Sequence, residues 1–400
     1  MFKKNTFGSS LRVIFANLKI MKSIYLSLVI IFFGLPFLFS EFHFESREND
    51  SRLYTIFVEQ LSEKPLSHLA ALEWRHMSAY TDESNPYVRD HLVGQFIPSV
   101  IMAKLGWNPK YSHYVINQLY RFLIPLFFYY LFQLYFSKEA ALLVLVSSHL
   151  SLISFNYVFR ANQELPLLFG LVLAMIGKAQ FTQINRYSML FYFSNLWTFL
   201  VKGFAGLIHL PFWALQSMKS QADKKKEFII FFVLFLCLLA TAGLYEVWFK
   251  NLTGTSFWEG YVQIQVLGRN PEKSVIFSSL PYYLSRSLSY SLPWCFGLYF
   301  IFKLLKEKKF SPEQKSFIYS NLAIIASYLI FFGFFSRKAS RYIFPAYFLI
   351  IALGATGIGY KTKEKYHRFL KNKLIIHSTL YWSIFTINFI IFLIGGKQYS

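Results

Sequence analysis

Charge is scarce in this sequence, and acidic charge is scarcer still. Only 15% of the 400 residues are charged, with 20 Asp and Glu against 41 Lys and Arg. A soluble chain of this length needs more polar cover than that, because the surface of a globule has to be wetted. Cysteine is nearly absent: Cys237 and Cys295 both fall in apolar stretches, so they read as packing groups and imply no disulfide. His43, His68, His76, His91 and His113 lie in the segment before the second apolar block or at its start, but no two are spaced to share one helical turn as zinc ligands. There is no Gly-rich phosphate-cradling loop and no nucleophile elbow, so a cytoplasmic nucleotide-driven mechanism has no support. No inverted repeat, low-complexity segment or convincing signal-peptide cleavage site is evident.

What the chain has instead is long apolar blocks. It is 55% hydrophobic and 20% aromatic, with 47 Phe and 27 Tyr. Ile24–Ser40, Ala140–Phe159, Phe228–Leu244, Leu322–Phe335, Tyr342–Tyr360 and Leu374–Ile394 are nearly free of charge, and several approach the roughly 20 residues that cross a bilayer. The expected fold is an all-α, polytopic transmembrane bundle. Spans are placed near 24–40, 113–136, 140–158, 165–179, 187–201, 203–218, 228–245, 284–302, 317–335, 341–359 and 374–394, about eleven in one integral membrane domain. The net charge of +21 does not point to nucleic acid. The basic residues cluster between apolar blocks (Lys219 with Lys224–Lys226, Lys303–Lys309, Lys361–Lys373), as cytoplasmic loops do. With the N-terminus in the cytoplasm, the inside segments hold more than half of the Lys and Arg but fewer than a third of the acids. A plasma (inner) membrane location follows, with two long outer loops. Residues 41–112 carry ten acids and a stretch, His91–Leu105, suited to an interfacial helix. Residues 246–283 carry Trp248, Trp258 and Tyr261.

Ionisable groups at or near the bilayer are functional candidates because they are costly there. Four places stand out, all on the outer side of this topology. Glu48-Asn49-Asp50-Ser51-Arg52-Leu53-Tyr54 offers a carboxylate that can take a proton from a nucleophile, or is simply a solvated acidic loop. Arg160 and Glu164, before Pro166, form a turn that can bind a phosphate and orient a sugar, or that pairs with itself. Lys202, before Gly203, stands out as the intramembrane charge; at that depth it needs an anionic partner or must snorkel. Arg337, Lys338 and Arg341, before Tyr342, run against the positive-inside trend, so a bound phosphate or anionic headgroups would favour them there, or each simply anchors at the interface.

These motifs, in this order, resemble the GT-C glycosyltransferases, in the branch of bacterial protein mannosyltransferase-like and aminoarabinose-transferase-like enzymes. Asp50-Ser51-Arg52-Leu53-Tyr54 is similar to the family's Asp-Glu-x-x-Tyr, with Ser51 where the family has Glu. Arg160, Glu164 and Pro166 are similar to its Arg, acid and Pro. Val201-Lys202-Gly203-Phe204 keeps the Lys and Gly of its Thr-Lys-Gly-Pro, and Arg341-Tyr342-Ile343-Phe344-Pro345 is its Arg-Tyr-x-x-Pro intact. The resemblance covers roughly residues 20–360. It implies transfer of a sugar from a polyprenyl-phosphate-linked donor to a lipid, glycan or protein acceptor, with inversion. Asp50 would be the general base, with Glu48 as a fallback. Lys202, Arg337, Arg341 and Arg160 would meet the donor phosphate, and Tyr54, Glu164 and Tyr342 the substrate. With no metal ligands indicated and Ser51 in place of the family's Glu, the cofactor is unassigned. The alternatives are a transporter or flippase of a lipid-linked saccharide, and a non-catalytic envelope scaffold.

Overall fold

The computed structural model describes residues 49–74, 86–149, 151–157, 160–181, 186–220, 223–267, 279–335 and 338–361. The expected spans 24–40 and 374–394 lie outside the described residues, as do Glu48 and Arg337. Among the described residues the chain is helical throughout, with no β-strand and one isolated bridge, Glu73 to Tyr87.

The described residues open with α1 (Asn49–Glu63) and α2 (Ile97–Lys104). Then come α3 (Pro109–Gln133), α4 (Lys138–His149), the short α5 (Leu152–Asn156), α6 (Glu164–Ala179) and α7 (Arg186–Lys202). These are followed by α8 (Leu210–Ser220), α9 (Lys224–Thr253), the short α10 (Phe257–Tyr261), α11 (Leu280–Ser291), α12 (Gly297–Lys306), α13 (Pro312–Gly333) and α14 (Phe344–Lys361). Their ends are written locally. Asn108 accepts from Lys110 N–H and Pro109 opens α3. Asp223 caps α9, which stops at Gly254 in the left-handed region. Ser311 and Gln314 form a capping box at α13.

Four helical segments are long and apolar enough to cross a membrane: Pro109–Gln133, Lys224–Thr253, Pro312–Gly333 and Ser340–Tyr360. Counting each sharply bent pair as one span gives six among the described residues. The chain is a multi-pass membrane protein. Its layering is uneven: 94% of the most apolar stretch of Ser340–Tyr360 is buried but only 22% of that in Lys224–Thr253. So α14 is the central post, and α9 presents Phe228, Phe232, Phe235, Leu236 and Leu239 outward, where lipid is their natural solvent.

Several expected spans have a different shape. Residues 284–302, read as one crossing, are α11 and α12 meeting at 102°; Pro293 stands at the break, where it can neither donate a hydrogen bond nor admit the preceding residue to a helix. Residues 187–218, read as two crossings, are a pair bent by 88°, with a 3-10 turn Gly203–Leu207 between its arms. The stretch 140–158 divides into α4 and α5. The helix expected over 91–105 forms only at Ile97–Lys104. The helix begun at Lys224 runs on to Thr253, so the segment expected as an outer loop from residue 246 begins helical.

Candidate active site

Asp50 lies in the first turn of α1, where a carboxylate is favoured by the helix dipole. Its Oδ2 accepts a hydrogen bond from Arg341 Nη1, an ion pair between residues 291 apart in sequence. Arg341 comes from a 3-10 turn, Ser340–Ile343, that leads into α14. Aromatic neighbours hold that turn. Tyr347 donates to Ser340 O at 2.8 Å, and Tyr342 stacks on Phe332 with centroids 5.1 Å apart. Both members of the pair are about a third exposed, so it is reachable from outside.

A second pair stands beside the first. Lys202 Nζ donates to Glu164 Oε1 at 3.3 Å, with the lysine side chain 10% and the glutamate 3% exposed. This is the anionic partner that a lysine at this depth requires. Lys202 Nζ is also 6.0 Å from the centre of the Tyr342 ring. The charge of Glu164, like that of Asp50, acts on Arg341, so the two pairs form one cluster. The backbone under Lys202 is clamped: Tyr261 donates to Lys202 O at 3.1 Å, and Gly203, at φ +60°, leaves room for that ring where a Cβ would lie 2.6 Å from the phenol oxygen.

The turn carrying Arg160 closes the site. Ala161 N–H donates to Ser51 Oγ at 3.0 Å, so Ser51, the departure from the family pattern, ties this turn to the first turn of α1. The Arg160 guanidinium lies 5.0 Å above the Tyr157 ring. Tyr54, one turn after Asp50, is 4% exposed, and its hydroxyl lies 3.0 Å from His91 Nε2. Burial, then the charges of Asp50 and Glu164, push its ionisation well above the ordinary phenol value, so Tyr54 is a hydrogen-bonding group and not a base. The structure thus brings together Asp50, Tyr54, Glu164, Lys202, Arg341 and Tyr342, with Arg160 on the turn that Ser51 ties to α1. Among the described residues no group of three His, Cys, Asp or Glu is placed to hold a metal ion.

No protein-family model matches the sequence, and no curated protein does at a significant level. Solved structures do match. ArnT from Cupriavidus metallidurans bound to undecaprenyl phosphate superposes with a TM-score of 0.69 over 89% of this chain, at 10% identity. The same protein in the apo state gives 0.59 over 88%, at 14% identity. The fold is that of ArnT. It is also the fold class the GT-C resemblance implies. The chain spans 64% and 62% of the two ArnT chains, and at these identities the likeness is one of architecture.

Within this ArnT fold, two features escaped the sequence. Lys202 is not the sole charge inside a span. Arg121 sits midway along α3, 7% exposed, donates to Gln118 Oε1 at 3.4 Å and lines a cavity with Ser154, Tyr157, Leu165 and Phe344. It was visible as the one basic residue within the span expected over 113–136. The second is the contact of His91 with Tyr54 and Asp90; a search for metal-ligand spacing has no reason to find it.

Proposed function

We propose that this chain is a membrane glycosyltransferase that moves a sugar from a polyprenyl-phosphate-linked donor to an acceptor at the outer face of the plasma membrane, with inversion. The observation that carries it is the Asp50–Arg341 pair beside Glu164–Lys202, on the fold of a protein seen with undecaprenyl phosphate bound. Asp50 takes the proton of the acceptor nucleophile as that atom attacks the anomeric carbon. The bond from that carbon to the phosphate oxygen breaks, and its electron pair leaves with the polyprenyl phosphate. Arg341, Lys202 and Arg160, with Arg337 outside the described residues, stabilise the charge that develops there. Glu164 and Tyr342 line the substrate beside them, with Tyr54 against Asp50. Attack opposite the leaving group inverts the anomeric centre. Arg341 links the two halves: a donor phosphate that draws the guanidinium to itself also frees Asp50 to act as base. The about-eleven-span topology, with outer loops 41–112 and 246–283, and the mannosyltransferase-like or aminoarabinose-transferase-like branch belong to this reading. They are supported by the apolar blocks, Asp50 with Tyr54, and the intact Arg341-Tyr342-Ile343-Phe344-Pro345.

The test uses membranes carrying wild type or Asp50→Asn, given polyprenyl phosphate bearing radiolabelled mannose or aminoarabinose. Release of polyprenyl phosphate is expected to fall by about 10²-fold or more in the variant. Equal release by both removes Asp50 as base. A second reading, a flippase of a lipid-linked saccharide, draws on Arg121 in α3 and on the two bent helix pairs. It predicts donor moved intact between leaflets with no release, and no effect of Asp50→Asn.

A further inference from the structure

Behind Asp50 runs a hydrogen-bonded chain that the transfer step does not use. Tyr54 stands one helical turn after Asp50, on the same face of α1. Its hydroxyl lies 3.0 Å from His91 Nε2, and His91 Nδ1 lies 2.6 Å from Asp90 Oδ1. Asp90 is gripped from the other side. The Gln265 side-chain amide donates to Asp90 O at 3.2 Å and to Asp90 Oδ2 at 3.3 Å. The order is Gln265, Asp90, His91, Tyr54, ending beside the Asp50–Arg341 pair.

Chemistry gives this chain a direction. An ionised carboxylate only accepts, so the imidazole proton sits on Nδ1, facing Asp90. Nε2 of the neutral ring then offers a lone pair, and the Tyr54 O–H is the donor. The phenol keeps its proton, since burial and the charges of Asp50 and Glu164 oppose its loss. That proton therefore points at His91. With the ring proton on Nε2 the bond reverses, and the phenol O–H turns away from His91, bringing the positive end of its dipole to the Asp50 side, where the two groups already feel each other's charge. A carboxylate facing such a dipole is a weaker base.

We propose that Asp90 and His91 are positioning residues for the transfer reaction, holding the Tyr54 hydroxyl proton away from Asp50 so that the carboxylate keeps its basicity for the nucleophile. The inference rests on the glycosyltransferase reading. The charged and titratable groups around His91 are Arg89 and Asp90 on its own segment, Tyr54 and Asp50 on α1, and His113 of α3, whose ring lies 6.1 Å from that of Tyr54. Arg341 and Glu164 stand across the site.

The full chain in lipid vesicles, with the same labelled donors, tests this through Asp90→Asn, His91→Leu and His91→Gln. In Asp90→Asn the Gln265 donor holds the amide oxygen on its own side and turns the amide N–H toward His91, which forces the ring proton onto Nε2. The kcat is expected to fall about tenfold in Asp90→Asn and in His91→Leu, with the donor KM unchanged. His91→Gln, whose amide oxygen replaces Nε2 as acceptor, recovers most of that loss. Wild-type kcat in Asp90→Asn and His91→Leu, or a His91→Gln variant as slow as His91→Leu, overturns the proposal. A second readout needs no turnover. Solid-state NMR of 15N-histidine-labelled protein, with His91 assigned by its absence from His91→Gln, reports the tautomer directly. A proton on Nδ1 in wild type and on Nε2 in Asp90→Asn is expected; Nε2 in wild type overturns the inference whatever the activity. If the wild type carries the Nδ1 proton yet releases no polyprenyl phosphate, the glycosyltransferase reading falls, and the positioning role with it.

Discussion

Lys202 shows how far a single residue can be read from sequence and where that reading stops. Its depth in an apolar stretch demands an anion, and the demand is legible from its neighbours alone. The identity of the anion is not, because Glu164 lies 38 residues away on another helix and meets Lys202 only when α6 packs against α7. Asp50 and Arg341 follow the same rule: each is a candidate by type and place, while their pairing across 291 residues is a property of the fold. Ser51 is the opposite case. As a sequence feature it is only a mismatch to a pattern, and its bond to Ala161 N–H appears only in three dimensions. The Lys202–Glu164 pair gives a sharp prediction. Lys202→Met leaves a carboxylate that is 3% exposed without its ammonium, and is expected to cost about 3–5 kcal/mol. Glu164→Gln in the same chain should restore much of that. Thermal unfolding in detergent of the single and double variants decides it, and a single variant as stable as wild type refutes it.

Helices were easier to foresee than their bends. The blocks at 113–136 and 317–335 correspond to α3 and α13, whose caps and apolar runs agree with each other. Proline alone does not announce a break: Pro125 sits inside α3, which continues to Gln133, whereas Pro293 separates α11 from α12. The difference lies in what packs there. A Cβ on Gly297 would lie 1.9 Å from Gly354 O, so the start of α12 rests directly on the backbone of α14, the helix whose entry turn presents Arg341. Gly354→Val is therefore expected to lose about 3 kcal/mol. The amount of monodisperse protein in detergent should fall with it. Gly243→Ala in α9, where a Cβ meets nothing within 4 Å, is the matched control and is expected to be neutral or mildly stabilising. Equal yields from both would show that the α12–α14 contact is not tight.

For the whole molecule, the sequence carries no distances but does carry an expectation of sidedness. Clusters of Lys and Arg between apolar blocks would assign one face to the cytoplasm and the four motif segments to the other. This orientation is testable with single cysteines in a background of Cys237→Ala and Cys295→Ala. Arg52→Cys, exposed at the start of α1, is expected to react with a membrane-impermeant maleimide in intact cells. Lys225→Cys, exposed at the start of α9, should react only after permeabilisation. Labelling in the reverse order would put the site in the cytosol and remove an outer-face reaction.

The length of α9 has a further consequence. Thirty residues at about 1.5 Å each give a rod of about 45 Å, against about 30 Å of hydrocarbon. Its C-terminal end is engaged by neighbouring segments. The Trp248 indole N–H donates to Ser67 O at 2.7 Å, and Glu246 accepts from the N–H groups of Phe257 and Trp258 at 3.0 and 3.2 Å, seating the short helix whose Tyr261 grips Lys202. Hydrophobic mismatch tilts such a rod, and a tilt of α9 moves Glu246 and, through the short helix that Glu246 seats, the Tyr261 that holds the backbone of Lys202.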